Sequence, residues 1–339
     1  MRPLKLVPDN TNIDFLRWRW VALALSVGLI IASVALVSVR GLNWGVDFSG
    51  GQMMRVSFAQ TADVPALRER LQGLGVENAT IQQTGSAKEV AIRIPLEGSS
   101  NPFLQWLQGT SAAASEKDVG AANKVASAVR TSIQQDFPDA KFGAVESVSG
   151  KVSTELFRTG SIALSLAMVG IALYIWLSFE WQFGVGALFA LFHDVILTFG
   201  FFALTQLEFD LNIVAAVLTI IGYSLNDTIV TYDRMRENFR KWRKMEIQAL
   251  LNQSVNETLS RTIVTSLSLI ITLGILLFLG PDVIFGFTAA MFLGIVVGTF
   301  SSVYIAAPIL IWLNVKSDSF VPKDENGKKS ALPAEGFID

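Results

Sequence analysis

Residues 211–232 read LNIVAAVLTIIGYSLNDTIVTY and decide the fold, because they are long and apolar enough to cross a lipid bilayer as one helix. A helix rises about 1.5 Å per residue, so this stretch matches a hydrocarbon core about 30 Å thick. It contains a single charged residue, Asp227. A charge inside a span costs roughly 2.5–3.5 kcal/mol on insertion scales, so we expect this carboxylate to be paired or used.

Composition extends this interpretation to the whole chain. Of its 339 residues, 51% are hydrophobic and only 17% are charged, which predicts an integral membrane protein. Six transmembrane helices are expected, at residues 20–39, 159–179, 183–204, 211–232, 262–279 and 283–315. We expect the first to be a retained anchor and not a signal peptide, because five more spans follow it.

Positive charges in the loops predict the orientation. Lysine and arginine cluster before the first span, between the fourth and fifth, and after the sixth, whereas residues 205–210 and 280–282 contain neither. With six spans the three clusters share one side, which the positive-inside rule makes the cytoplasm. The expected divisions are a cytoplasmic N-terminus (1–19), the first span (20–39), an exported domain (40–155), a five-span bundle (156–315) with a cytoplasmic linker (234–260), and a cytoplasmic tail (316–339).

The exported segment has a regular pattern of its own. Strand-like stretches occur at 51–58, 76–83, 89–96 and 141–148, and helical spacing occurs at 64–74 and 119–136. The order βαββαβ predicts an α+β ferredoxin-like domain, with a four-stranded antiparallel sheet and two helices on one face. Residues 98–115 are predicted to be an inserted loop. The segment has no metal-ligand cluster and no phosphate loop, so we expect a binding or coupling module without metal or cofactor. The chain also lacks cysteine, so it forms no disulfides.

Few ionisable residues lie within the predicted spans. His193 and Asp194 lie near the middle of the third, Asp227 lies inside the fourth, and Arg261 begins the fifth. We expect Arg261 to reach Asp227 from the cytoplasmic side and to pair with it. Intramembrane ionisable groups of this kind are candidates for a proton pathway. Two alternatives stay open: the pair only fixes helix register, and His193 is only a hydrogen-bonded helix contact.

Glycines indicate two further features. Gly294 and Gly298 have the G-x-x-x-G spacing that permits close helix packing. Gly50 and Gly51 permit a tight backbone bend at the membrane surface. This bend is either a structural corner or a contact that transmits movement.

Several short motifs follow one another in a fixed order. They are GVDFSGG at 45–51, the pair His193-Asp194, GYSLNDTIV at 222–230 with Asp233-Arg234 and REN at 236–238, NETLSRT at 256–262, and VGTFSS at 297–302. Together with six spans and a βαββαβ domain, they closely resemble the SecF family, the membrane subunits of the bacterial protein-export machinery. The resemblance covers the chain from about Arg17 to Leu313. It departs from the family at Ser149-Gly150, where Gly-Pro is common.

The resemblance implies a function in protein export. Such subunits act with SecD, within the resistance-nodulation-division superfamily, and use the proton gradient to complete preprotein translocation through the SecYEG channel. SecA consumes the ATP, which agrees with the lack of a G-x-x-x-x-G-K-[ST] loop in this chain. The family implies a multi-pass protein of the bacterial inner membrane, in contact with lipid and unfolded preprotein, that is not an enzyme and binds no nucleic acid.

The resemblance also assigns roles to residues. Asp227 and Arg261 match an aspartate and an arginine that the family is regarded as using for proton movement, together with an aspartate of SecD. We expect the same pathway to include His193, Asp194, Asn226 and Thr228. The residues expected to define the family or to couple movement are Gly45, Asp47, Gly50, Gly51, Gly222, Asp233 and Arg234.

Two other functions agree less well with the sequence. An independent proton-coupled exporter of small molecules or lipids usually has about twelve spans in one chain, and this chain has half that number. An intramembrane hydrolase using Ser224 and His193 lacks the G-x-S-x-G context around the serine.

Overall fold

The computed structural model describes residue 8 and residues 11–74, 76, 79–83, 87–95 and 116–315. The predicted loop 98–115 and the predicted tail 316–339 lie outside these described residues. A 3-10 turn, Phe15–Trp18, precedes the first helix. The elements that follow are α1 (Arg19–Arg40), α2 (Val46–Ser49), β1 (Gly51–Ser57), α3 (Val64–Gly73), β2 (Thr80–Gln83), β3 (Glu89–Ile94), α4 (Glu116–Asp136), β4 (Lys141–Val148), α5 (Gly150–Ser178), α6 (Trp181–Thr205), α7 (Leu211–Lys241), α8 (Ile247–Leu279), α9 (Phe285–Ser301), a π-helical turn (Ser302–Ala306) and α10 (Ala307–Trp312).

The prediction of six spans is confirmed. Six helical segments of the described chain are long and apolar enough to cross a membrane: α1, α5, α6, α7, α8 and the combined segment from α9 to α10. The segments α6, α7 and α9–α10 form the buried centre of the bundle, while α1, α5 and α8 expose most of their apolar surface. Those three outer helices therefore face lipid or another membrane chain.

The sixth span is broken, which explains its predicted excess length. A regular helix ends at Ser301, and a π-helical turn leads into α10, whose second residue is Pro308. Proline has no backbone N–H to donate and its ring clashes with the carbonyl of the residue four positions earlier. The wider π turn accommodates that clash, as single π turns often do near functional sites. The Tyr232 hydroxyl on α7 donates to Ala306 O at 3.0 Å and holds the turn in place.

The predicted linker 234–260 is mostly helical. α7 continues to Lys241 and α8 already begins at Ile247, so the two helices are joined by a short turn. Arg234 on α7 binds Glu257 on α8, with Nε donating to Oε2 at 2.6 Å, and also binds Glu237. Asn238 donates to Ser254 Oγ and to Glu257. These polar contacts tie the two helices together beyond the apolar part of the bundle.

The described residues between Gly51 and Val148 form a separate α/β domain. Its described elements follow one another as strand, helix, strand, strand, helix, strand, and the sheet order is β2-β3-β1-β4 with every neighbouring pair antiparallel. Alternate residues of β1 and β3, including Met54, Val56 and Ile92, pack against Leu67 and Val129 of the two helices. Both helices therefore cover one face. The ferredoxin-like class stays a prediction, since residues 84–86 and 96–115 are outside the described part.

The α/β domain is seated on the loop between α6 and α7. Phe209 of that loop packs with Trp44 and Phe48, which come just before β1. Phe157 of α5 packs against the same two rings. Phe209 also forms a parallel β-bridge with Trp44. The segment that leads into the domain and the bundle thus share one aromatic cluster at this end of the helices.

Candidate functional site

Asp227 is buried in the centre of the bundle and is held by two hydroxyl groups. Thr262 Oγ1 on α8 donates to Asp227 Oδ1 at 2.6 Å, and Ser302 Oγ in the π-helical turn donates to Oδ2 at 2.8 Å. The side chain is 7% exposed. The carboxylate therefore joins three elements, α7, α8 and the sixth span, through one donor to each oxygen.

The predicted pairing of Arg261 with Asp227 is wrong in this structure. Arg261 precedes Thr262 on α8, and consecutive helical residues point about 100° apart. Because Thr262 faces Asp227, Arg261 is directed to the exposed face of α8. Among the described residues Arg261 forms no ion pair, so an arginine inside a membrane-spanning helix is left without an intramolecular counter-charge.

A second carboxylate, Asp194, is buried one helix away. Its Oδ2 accepts hydrogen bonds from Ser224 Oγ on α7 at 2.5 Å and from Ser301 Oγ at 2.8 Å. Its Oδ1 lies 2.9 Å from His193 Nδ1. His193 is also buried, and its Nε2 has no hydrogen-bond partner among the described residues. The two adjacent residues that the sequence singled out therefore act as one polar unit.

The two carboxylates are bridged by neighbouring serines. Ser301 donates to Asp194 and Ser302 donates to Asp227, at the point where α9 gives way to the π-helical turn. Each serine also has a second acceptor one turn earlier, Gly298 O at 3.1 Å for Ser301 and Thr299 O at 3.0 Å for Ser302. Each hydroxyl has a backbone carbonyl as an alternative partner if its carboxylate becomes protonated.

Close packing of α9 on α7 makes this geometry possible. A Cβ atom on Gly298 would lie 3.0 Å from Ser224 Cβ, and one on Gly294 would collide with the Ile220 side chain. The predicted close-packing role of this G-x-x-x-G pair is thus confirmed within the bundle. Three other hydroxyl groups form a chain on the same helices. Ser266 Oγ lies 2.9 Å from Tyr223 Oη and 2.7 Å from Thr299 Oγ1.

The remaining predicted pathway residues lie elsewhere. Thr228 is buried but makes no side-chain hydrogen bond among the described residues. Asn226 and Gly222 lie one turn apart on the exposed face of α7, and Asp233 is exposed near its end. Sequence reasoning missed the hydroxyl partners Thr262, Ser301 and Ser302, although each stands in a quoted motif. Their position in otherwise apolar spans was the available signal.

The glycine-rich stretch at 45–51 forms the corner between bundle and domain. Gly50 and Gly51 have φ angles of 70° and 122°, which residues other than glycine rarely adopt. Asp47 Oδ2 accepts a hydrogen bond from Leu211 N at 3.0 Å, at the start of α7. Gly45 N donates to Phe209 O at 2.9 Å. The stretch therefore contacts the first turn of the helix that carries Asp227.

Two more acidic residues, Glu208 and Asp210, lie near Asp47 at the same corner. Burial raises the pKa of Glu208, and the nearby charge of Asp210 raises it further. Burial also raises the pKa of Asp210, although its carboxylate caps α7 by accepting from Ile213 N at 3.0 Å. Burial lowers the pKa of Arg93 on β3. The junction thus contains ionisable groups whose charged forms are disfavoured.

Comparisons with known proteins give a consistent result. The C-terminal family model of the protein export membrane proteins SecD/SecF matches residues 128–316, and the SecD/SecF GG motif matches residues 35–62. A protein translocase subunit SecF from Rhodobacter capsulatus is 42% identical over 335 residues, which covers 97% of this chain and 99% of the relative. SecF from Pseudomonas aeruginosa is 40% identical over 312 residues, covering 92% and 94%.

Two solved structures share the fold. The crystal structure of SecDF, a translocon-associated membrane protein from Thermus thermophilus, matches with a TM-score of 0.76 and 31% identity over 92% of this chain. SecDF in a super-membrane-facing form matches with a TM-score of 0.59 and 30% identity over 93%. This chain spans only 40% of those SecDF chains. From the matches to the family model and to relatives along nearly their whole length, the chain belongs to the SecD/SecF family of protein export membrane proteins.

Proposed function

We propose that the chain is the SecF-type subunit of a Sec translocase, in which Asp227 takes up and releases a proton so that the proton gradient drives late preprotein translocation. The observation that carries this proposal is the pair of buried carboxylates, Asp194 and Asp227, bridged by Ser301 and Ser302. A carboxylate in a membrane core is expensive, and such residues mark ion and proton pathways.

Protonation of Asp227 changes its hydrogen bonding in a defined way. The charged group only accepts, and it accepts from both Thr262 and Ser302. Once protonated, one oxygen becomes a donor, so the hydroxyl beside it has to accept that proton and turn its own hydrogen to another acceptor. Ser302 has Thr299 O as a ready alternative acceptor. The proton therefore switches the contact between α7 and the π-helical turn, where the sixth span is already irregular.

Asp194 extends the same switch to α6. Ser301 turns toward Gly298 O in the same manner when Asp194 is protonated. Since Ser301 and Ser302 are consecutive, rotation of this short segment changes both carboxylate contacts together. His193, with Nε2 unpaired and buried, is the group that exchanges a proton with Asp194.

The exposed polar residues support SecD as the partner. Arg261 on α8 and Asn226 on α7 are exposed in helices that cross the membrane. Lipid does not satisfy such groups, so a second membrane chain with an acidic residue is the fitting neighbour. The family resemblance implies that an aspartate of SecD takes part in the same proton movement, and we propose it as the partner of Arg261. Arg261 thus belongs to the contact between the subunits.

The wider setting follows from the family and from the loops. The termini and the α7–α8 turn are proposed to lie in the cytoplasm of a bacterial inner membrane, with the α/β domain in the periplasm. SecYEG is the proposed channel, SecA supplies the ATP-driven early step, and unfolded preprotein is the substrate. The subunit itself is proposed to carry out no covalent chemistry.

The test is export into inverted membrane vesicles that contain SecD and either this chain or its Asp227→Asn form. Asparagine keeps size and hydrogen bonding but does not titrate in this range. We expect normal assembly and normal ATP-driven early translocation, with loss of the part of export that depends on the proton gradient. Full gradient-dependent export at normal protein levels would replace the proposal with a register-fixing role for Asp227.

A further inference from the structure

The loop that joins α6 to α7, residues 206–210, links the α/β domain to both buried carboxylates. Gly45 N, just before β1, donates to Phe209 O of this loop at 2.9 Å. The helix before the loop carries Asp194 and the helix after it carries Asp227. A shift of either helix against the other therefore moves the loop, and the domain seated on it moves too.

Glu208 lies at the centre of this contact. Its Oε1 atom is buried and has no hydrogen-bond partner among the described residues. A Cβ atom on Gly45 would lie 3.1 Å from that oxygen, so the backbone before β1 packs directly on the carboxyl group. From the domain side, Arg93 of β3 donates to Trp44 O next to Gly45. The carboxyl group is thus enclosed between the loop and the domain.

The charged groups around Glu208 come from several elements. Arg93 on β3 and Arg55 on β1 attract its carboxylate, while Asp210 of the same loop repels it. Asp47 on α2 adds to the negative charge at Asp210. Burial raises the pKa of Glu208, more than Arg93 lowers it. The neutral form of Glu208 is therefore the form that the closed contact favours.

We propose that Glu208 is the coupling residue between the membrane bundle and the α/β domain: with its proton it keeps the domain seated on the loop, and on losing that proton it turns toward water and loosens the seat. The inference rests on the proposed function, for which it supplies the step from proton binding to movement outside the membrane. In the proposed orientation the loop faces the proton-rich side. Protons supplied there favour the seated position.

The pH dependence has a definite sign. A carboxyl group whose pKa is higher in the seated than in the released state binds its proton more tightly when seated. Seating is therefore strengthened as the pH falls through the raised pKa, and it weakens as the pH rises. Removing the attraction of Arg93 raises the pKa of Glu208 further, so Arg93→Gln should move the release to higher pH. A purely structural role for either residue predicts no such shift.

The absence of cysteine from the chain makes the movement measurable. Single cysteines at Thr131 on α4 and Leu204 at the end of α6, both exposed, take spin labels on the domain and on the bundle. The distance distribution between the labels is recorded by pulsed electron paramagnetic resonance, in the complete chain assembled with a cysteine-free SecD, over a series of pH values. The expected result is one short distance at acid pH and a growing longer population as the pH rises.

Two matched variants decide the assignment. Glu208→Gln imitates the neutral form and should keep the short distance at every pH. Glu155→Gln makes the same change at an exposed position on α5 that has no ion pair among the described residues, and it should retain the response of the parent chain. If Glu208→Gln responds to pH as the parent does, or if Arg93→Gln leaves the midpoint unchanged, Glu208 is not the coupling residue.

The inference and the proposed function fail in different measurements. Asp227→Asn should lose gradient-driven export and yet keep the pH-dependent change in label distance, because Glu208 is intact. Normal gradient-driven export by Asp227→Asn overturns the proposed function. An unchanged pH response in Glu208→Gln overturns the inference about Glu208.

Discussion

Hydroxyl groups, and not a charged partner, bind Asp227 in the part of the chain that the structure describes. Thr262 and Ser302 each donate to one of its oxygens, and Arg261 faces away. A buried ion pair would hold the carboxylate in its charged form, whereas hydroxyls donate to the charged form and accept from the neutral form equally well. This difference makes the site suited to changing its protonation state.

The Ser302 contact gives a prediction at this scale. Ser302→Ala removes one of the two donors to Asp227, and a hydrogen bond to a charged group contributes roughly 1.5–3 kcal/mol. We expect gradient-driven export to slow by roughly tenfold, equivalent to about 1.4 kcal/mol, because Thr262 still binds the carboxylate. The measurement is the rate of preprotein export into energised vesicles. The control is Ser165→Ala on exposed α5, where the hydroxyl only donates to Ser161 O of its own helix. Equal rates for both variants would exclude Ser302 from the switch.

Among the elements, the span from α9 to α10 combines three features that serve the site. Its small residues bring it onto α7, its serines contact both carboxylates, and Pro308 is preceded by the π-helical turn. A π turn interrupts the regular i→i+4 bonding of the helix and often lies at a functional site, so we expect rotation of the span to occur there. The proposed switch therefore belongs to this element.

Packing of that element can be tested at Gly298. A methyl group there would lie 3.0 Å from Ser224 Cβ, and overpacking of a tight interior costs about 1–3 kcal/mol. Gly298→Ala should lower the thermal unfolding midpoint of the purified complex and weaken export, since Ser224 is pushed from Asp194. Gly170→Ala on α5 is the matched change, because nothing lies within 4 Å of its added methyl group. A destabilisation of the same size in both variants would contradict the packing account.

The elements also show where sequence reasoning succeeds. The six spans were predictable because a bilayer requires long apolar helices, and the glycine corner was predictable because Gly50 and Gly51 need positive φ angles. The partner of Asp227 was not predictable in the same way. Helical periodicity shows which residues share a face of α8, but it does not show which face is turned toward Asp227. Adjacent residues point in different directions, so Thr262 contacts Asp227 and Arg261 does not.

At the scale of the whole molecule, the membrane bundle exposes polar groups that a partner chain could cover. Three of its six spans, α1, α5 and α8, expose mostly apolar residues. Arg261 is exposed on the outer helix α8, and Asn226 is exposed on the central helix α7. The α/β domain has its own core, yet it is seated on the loop between the two carboxylate-bearing helices. This layout agrees with the proposed function, in which SecD completes the proton site and the domain outside the membrane moves.

The proposed topology gives a prediction for the intact chain. A reporter inserted after Gly120 in the α/β domain should be found outside the cytoplasm, and one inserted after Lys241 should be found inside, because basic residues cluster beside Lys241. Protease access and reporter enzyme activity in intact cells measure both positions. Both reporters on the same side would overturn the six-span orientation.

Protonation of Asp227 itself is the central claim, and infrared difference spectroscopy measures it most directly. The SecD complex with the complete chain is cycled between acid and neutral pH on an internal reflection crystal, and the carbonyl band of protonated carboxylic acids is recorded. A reversible band is expected that is lost in Asp227→Asn and shifted in Ser302→Ala, because Ser302 donates to Oδ2 of the same carboxyl group. A spectrum of Asp227→Asn that matches the parent chain in this region would contradict the claim that Asp227 carries the proton.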